Sequence, residues 1–189
     1  MRAAFLALGL AVTATMAPAA EPHDAMQAFL DTNIKPWAED AVLVGAIQAQ
    51  NGQTAGFDAA HIDELDQQWR AEVGTGASAL VDGVLTNAAA DFLRQHVEAS
   101  GGVMTEVFIM DAQGLNVAAS GATSDYWQGD EDKFSKTYGV GPSAVHFSDI
   151  EFDESSQTYQ AQISLTLVDP ATGAPIGAMT VGINAESLM

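Results

Sequence analysis

The sequence predicts an α+β fold, with N-terminal helices packed on a five-stranded antiparallel sheet. Three observations carry this. Residues 23–100 place apolar side chains at helical spacing between capping residues. Residues 103–188 hold short apolar or alternating runs separated by turn residues. Every link but one between those runs is short enough for a hairpin, which only antiparallel neighbours allow. Helices first and strands afterwards indicate α+β, with the helices covering one sheet face.

Met26, Phe29, Leu30, Ile34 and Trp37 form the first helical stripe. Pro36 lacks a backbone N–H and clashes with the preceding turn, so a break or kink is expected near Asn33–Pro36. Asp40 caps the next helix, with Val42, Leu43, Ala46 and Ile47 as buried candidates and Asn51–Gly52 as its end. Asp58 caps a third, in which Ile62, Leu65 and Trp69 face inward while Asp63, Glu64, Asp66 and Arg70 face out. Its His61 has no partner at metal spacing and reads as a surface residue. Gly74–Thr75–Gly76 is a turn, followed by a short helix over Leu80, Val81, Val84 and Leu85. Asn87 caps the last helix, whose Ala88, Phe92, Leu93 and Val97 face inward and which Gly101–Gly102 stops. His96 sits at the edge of that buried face.

Thr105 to Met110 is apolar on both faces and reads as a central strand. Asp111–Ala112–Gln113–Gly114 turns the chain into a second strand, Leu115 to Ser120. Ala144 to Phe152 is the third, with Val145, Phe147, Ile150 and Phe152 as apolar members. Tyr159 to Val168 is the fourth, alternating over Ile163, Leu165 and Leu167. After the turn Asp169–Gly173, Ile176 to Ile183 is the fifth.

Residues 1–20 have the pattern of a secretory signal peptide. Arg2 is a short basic region, Ala3 to Val12 an apolar run, and Ala17–Pro18–Ala19 a small-residue cleavage site. Cleavage is expected after Ala19 or Ala20, giving a periplasmic or secreted protein with no later membrane insertion. Residues 21–102 then form the helical segment and 103–189 the sheet of the same domain. The formal charge of −19 becomes −20 once Arg2 is gone, because the first nineteen residues hold no acid. Such a surface repels phosphate backbones and anionic lipid heads, so nucleic acid is not an expected partner. The absence of cysteine excludes thiol catalysis, disulfides and Cys-based zinc sites.

The long link between the second and third strands, Asp125 to Tyr138, carries the candidate site. It mixes Tyr126, Trp127, Phe134 and Tyr138 with Asp125, Asp130, Glu131 and Asp132. Loops held on a rigid scaffold host most binding sites. Tyr126 and Trp127 could stack on a ligand, with acids beside them suiting a cation; equally, they could plug the sheet edge as core. The acids do not follow the calcium-loop order, and helix capping and solvation account for them as well. Gly129 to Asp132 reads as a short helix start, with Phe134 and Tyr138 on one side. Neither Gly-x-Ser-x-Gly nor H-E-x-x-H occurs, and His23, His61, His96 and His146 are dispersed. No catalytic residue, metal site or cofactor is therefore expected.

The whole arrangement resembles the Cache family, PAS-like extracytoplasmic sensor domains of bacteria, in its stand-alone secreted type. The residues that carry the likeness are VFIMDAQGLNVAAS (Val107 to Ser120), TSDYWQGDEDKF (Thr123 to Phe134) and LVDPATGAPIGAMTVGIN (Leu167 to Asn184), with NIKPW and DELDQQWRAE in the helical part. The resemblance implies a PAS-like sheet and a small molecule held between that sheet and the crossover. Here the lid would be Asp125 to Lys133, and the sheet face would come from Glu106 to Met110 and Val145 to Asp149. The implied binding residues are Asp125, Tyr126, Trp127, Gln128, Asp130, Lys133 and His146. The Tyr, Arg and Trp–Tyr lid pattern of amino-acid-binding members is missing, since the nearby basic residues are Lys133 and Lys136. A carboxylate-binding role is therefore not implied. With no output domain after the last strand, a signal would pass through a separate partner, such as a membrane receptor. The alternative is a non-catalytic periplasmic interaction module without a small ligand.

Overall fold

The computed structural model describes residues 22–76, 78–153 and 157–188. The segment read as a signal peptide lies outside the described residues. Among those described, no helix is long and apolar enough to cross a membrane.

The chain starts with α1 (Pro22–Phe29) and α2 (Lys35–Ala38), joined by a π-helical turn over Leu30–Ile34. The expected kink is therefore a widened turn. Pro36 cannot donate to the carbonyl four residues back, and Lys35 N–H reaches one residue further than usual, to Leu30 O. Asp40 caps α3 (Ala41–Thr54) by accepting Val42 N–H. This helix runs two residues past Asn51–Gly52, the expected end. Asn51 stays inside it because its side chain ties two hairpins: Nδ2 donates to Ile176 O at 2.7 Å and Oδ1 accepts Ala112 N–H at 2.7 Å. Asp58, Ser78 and Asn87 cap α4 (Ala59–Glu72), α5 (Ala79–Leu85) and α6 (Ala88–Ala99). Ala88 is exposed, and it is Ala89 and Ala90 that turn into the core.

The sheet comprises β1 (Met104–Met110), β2 (Asn116–Ala119), β3 (Val145–Phe147), β4 (Glu151–Asp153), β5 (Thr158–Val168) and β6 (Pro175–Asn184). Its order is β2-β1-β6-β5-β3, with β4 also on β5, and every pairing is antiparallel. Six strands appear where five are expected, because the run Ala144 to Phe152 is broken. Phe147 faces Ile163 and Glu151 faces Gln160, four steps along one side against three along β5. That is a bulge with one extra residue. Ser148 satisfies the break, donating N–H to Gln162 O and accepting Gln162 N–H on its hydroxyl. Beyond it, Ile150 and Phe152 are exposed rather than core.

Two apolar clusters sandwich the sheet. On one face the π-helical turn, α3 and α6 bring Leu30, Ile34, Leu43, Ile47 and Leu93 onto Val107, Ile109, Ile163, Met179 and Val181. On the other, α4 and α5 bring Ile62, Trp69, Val81 and Val84 onto Phe108, Met110 and Ala178. Helices thus cover both faces, not one. The cause lies in the crossover, which lines the second face and needs α4 to hold it.

Candidate functional site

The crossover is pinned before it reaches the sheet. Asp66 is 4% exposed. Its Oδ1 accepts the backbone N–H groups of Tyr126 (2.9 Å) and Trp127 (3.0 Å), while Oδ2 accepts from Arg70. Arg70 Nε also pairs with Asp125 at 2.7 Å. Asp66 therefore points inward, against expectation. It lies four residues after Ile62 and three before Trp69, on the same helical face, so the spacing held the signal. Trp69 Nε1–H donates to Thr123 O at 2.9 Å, and its ring stacks on Tyr126 at 5.7 Å.

The predicted site residues separate into three groups. Asp125 belongs to the Arg70 pin, and Asp130 is exposed. Trp127 donates its indole N–H to Gln113 O at 2.9 Å and lies against Gly129, at the tip of the first hairpin. Tyr126 is buried against Trp69, and burial first, then the Asp111 carboxylate, push its hydroxyl pKa up to about 12. Gln128, Lys133 and His146 lie nearer the sheet. Gln128 is buried, donates to Asp125 O and accepts Lys133 Nζ at 3.2 Å. Lys133 also pairs with Glu131 at 2.9 Å and lies 5.5 Å above the Phe108 ring.

The short helix α7 (Asp132–Ser135) follows in the crossover, its Phe134 stacked on Tyr138 at 5.2 Å. Between α7 and the β3–β5 edge opens a cleft of about 430 Å³. Lys133, Lys136, Glu131 and Asp132 line it from the crossover, and His146, Asp149, Glu151 and Gln162 from the sheet side. Lys136 holds Asp132 at 2.6 Å and keeps that carboxyl below its ordinary range. Burial, then Lys136, lower the His146 pKa, against the opposing pull of Asp132 and Asp149. His146 is therefore a neutral imidazole near pH 7, able to donate on one nitrogen and accept on the other. The sheet beneath is polar: Ser164 and Thr180 hydroxyls meet at 3.0 Å, and Glu106 accepts from Gln160 and Gln162. Sequence reasoning missed Gln162 and the polar floor. The signal was Gln160, Gln162, Ser164 and Thr166, one polar residue at every second position of a central strand. Among the described residues no group of three or more His, Asp or Glu is arranged to hold a metal ion.

No family model matches the chain, and no curated protein matches it. Solved structures do. The sensor domain of the V. cholerae histidine kinase DctB aligns over 88% of this chain and 53% of its own, at 13% identity and a TM-score of 0.47. The ligand-binding domain of the C. jejuni chemoreceptor Tlp3 in complex with 4-methylisoleucine aligns over 82% of this chain and 65% of its own, at 12% identity and a TM-score of 0.43. The same domain with L-valine aligns over 88% and 64%, at 11% identity and a TM-score of 0.44. This chain thus spans between about half and two thirds of the length of these structures.

Proposed function

We propose that the protein is an extracytoplasmic sensory domain of the Cache type that binds a small polar molecule and acts through a separate partner protein. The supporting observation is the cleft of about 430 Å³ between α7 and the β3–β5 edge. Its volume falls in the range of small-molecule sites, roughly 300–1,000 Å³. Lys133 and His146, two of the residues expected to bind, reach it from opposite walls. Ammonium groups, carboxylates and a neutral imidazole lie side by side there, which suits a ligand carrying both donors and acceptors. In this reading α7 is the element that a ligand displaces, and its movement carries the signal. The role is binding, without catalysis.

Thermal melting against amines, amino acids, organic acids and metal salts tests the proposal. A ligand that binds the native state alone stabilises it by about 2.7 kcal/mol at a hundred times its Kd. The expected result is a raised melting temperature for one chemical class, lost in Lys136→Gln and His146→Gln. If no compound moves the melting temperature, the proposal fails.

One observation favours the interaction module instead. Phe152 (49% exposed) and Tyr159 (64% exposed) stack edge-on at 5.4 Å on the β4–β5 edge, beside exposed Ile150. Exposed aromatic pairs of this kind suit a protein contact. Phe152→Ser weakening partner capture while ligand shifts stay absent would support that reading.

A further inference from the structure

A second hollow lies away from the acidic cleft, between α3 on one side and α5 with the start of α6 on the other. Its volume is about 500 Å³. Small residues make the gap: Ala46 and Ala49 of α3 lie across from Ala79 and Gly83 of α5. Small residues alone would mean only loose packing. Two further facts bear on what this hollow could hold. First, no lining residue carries a charge, in a chain whose formal charge is −19. Its apolar walls are Val42, Leu80, Val84 and Val117. Second, Tyr126 forms part of the lining, is 6% exposed, and its hydroxyl makes no hydrogen bond to any described residue. The hydroxyl oxygen itself keeps contact with solvent, so it is a donor and acceptor open to whatever fills the hollow. Gln50 lines the hollow as well. Its nitrogen is held by Asp111, Leu115 O and Asn116 O, and its oxygen has no protein partner.

We propose that this hollow is a second binding site, for a small uncharged molecule with an apolar body and a carboxamide-like head, which accepts from the Tyr126 hydroxyl and donates to the Gln50 oxygen. A carboxylate would set its charge against the Gln50 oxygen and the buried Asp111 behind it. A cation would find no counter-ion in the walls. The site shares no residue with the α7 cleft, so it stands or falls independently of the sensory reading.

The test is an amide-resolved NMR titration of the full chain with benzamide, with benzoate and benzamidine as isosteric charged controls. The expected result is a saturable response to benzamide at the amides of Ala46, Ala49, Leu80, Gly83 and Val117, and no response there to either control. Tyr126→Phe removes the hydroxyl and keeps the ring stacked on Trp69. It should leave the melting temperature unchanged and weaken benzamide by about tenfold. Ala49→Leu should fill the gap and abolish the response. The proposal is overturned if benzamide gives no saturable response, if the response maps to the α7 cleft, if the charged isosteres bind equally well, or if Tyr126→Phe binds as tightly as the parent.

Discussion

The carboxylate of Asp66 accepts the backbone N–H of Tyr126 at 2.9 Å, across sixty residues of chain. The same oxygen takes Trp127 N–H. One side chain on α4 therefore does for the crossover what a neighbouring strand does elsewhere in the sheet: it satisfies successive backbone donors. This fixes where the crossover begins, while its far end, α7, is held by the buried Phe134. Replacing Asp66 by Ala strands both N–H groups and removes one of the two carboxylate partners of Arg70. The loss should be about 2–4 kcal/mol, since a buried unpaired donor costs roughly 1–3 kcal/mol. Asp66→Asn keeps one oxygen in place and should lose about 1 kcal/mol. Urea denaturation reads both; an unchanged midpoint for Asp66→Ala refutes the pin.

Gly114 closes the first hairpin at φ +81°. A Cβ there would lie 2.6 Å from the backbone of Gly129, where the crossover passes over the turn. Two separate penalties act on Gly114→Ala: the left-handed backbone and the clash. The first alone is about 1 kcal/mol, and the clash adds to it. A loss of about 2 kcal/mol or more is expected on denaturation. A loss near zero would mean that the crossover does not pass that close.

Asn51 poses a contest between two effects. As a residue inside α3 it is worse than alanine by about 0.6 kcal/mol. Its side chain, however, holds Ala112 N–H and Ile176 O at once, and each such bond contributes about 1 kcal/mol. The bonds win on these magnitudes, so Asn51→Ala should destabilise by about 1–2 kcal/mol. Stabilisation would show that helix propensity dominates.

These three positions also show what the sequence could express. Caps and turns were legible because their signals are local: Asp40, Asp58 and Asn87 each accept an N–H within three residues. The long strands were legible from the alternation of Ile163, Leu165 and Leu167. Asn51 looked like a helix end because the same chemistry that stops a helix can serve a distant backbone, and nothing local tells the two apart. The break at Ser148 was hidden because a bulge depends on the partner strand. The site was half legible: the crossover and His146 could be named, but which side chains converge depends on how α4 pulls Tyr126 and Trp127 away from Lys133. Asp66 could have been read from its place on the Ile62–Trp69 face, and Gln162 from the polar alternation of Gln160, Gln162, Ser164 and Thr166.

His96 gives the fold a pH response. Its ring stacks on Trp37 at 4.3 Å and lies 4.6 Å from Phe92. Burial holds its pKa below the ordinary 6.5, against the opposing pull of Asp40. The His146 pKa is lowered likewise, chiefly by burial. Both imidazoles therefore bind a proton less readily in the folded chain than in the unfolded one. At pH well above 6.5 both states are neutral at these positions and neither ring contributes a pH dependence. As the pH falls through about 6.5 the unfolded chain takes up protons first, so stability declines. The decline ends once the pH is below the folded-state values, where both states are protonated. The melting temperature should therefore drop as the pH falls through about 6.5. His96→Phe keeps an aromatic ring on Trp37 and removes the proton site, so it should flatten part of that drop. An NMR titration of His96 with its midpoint at or above 6.5 would reverse the sign and refute the argument.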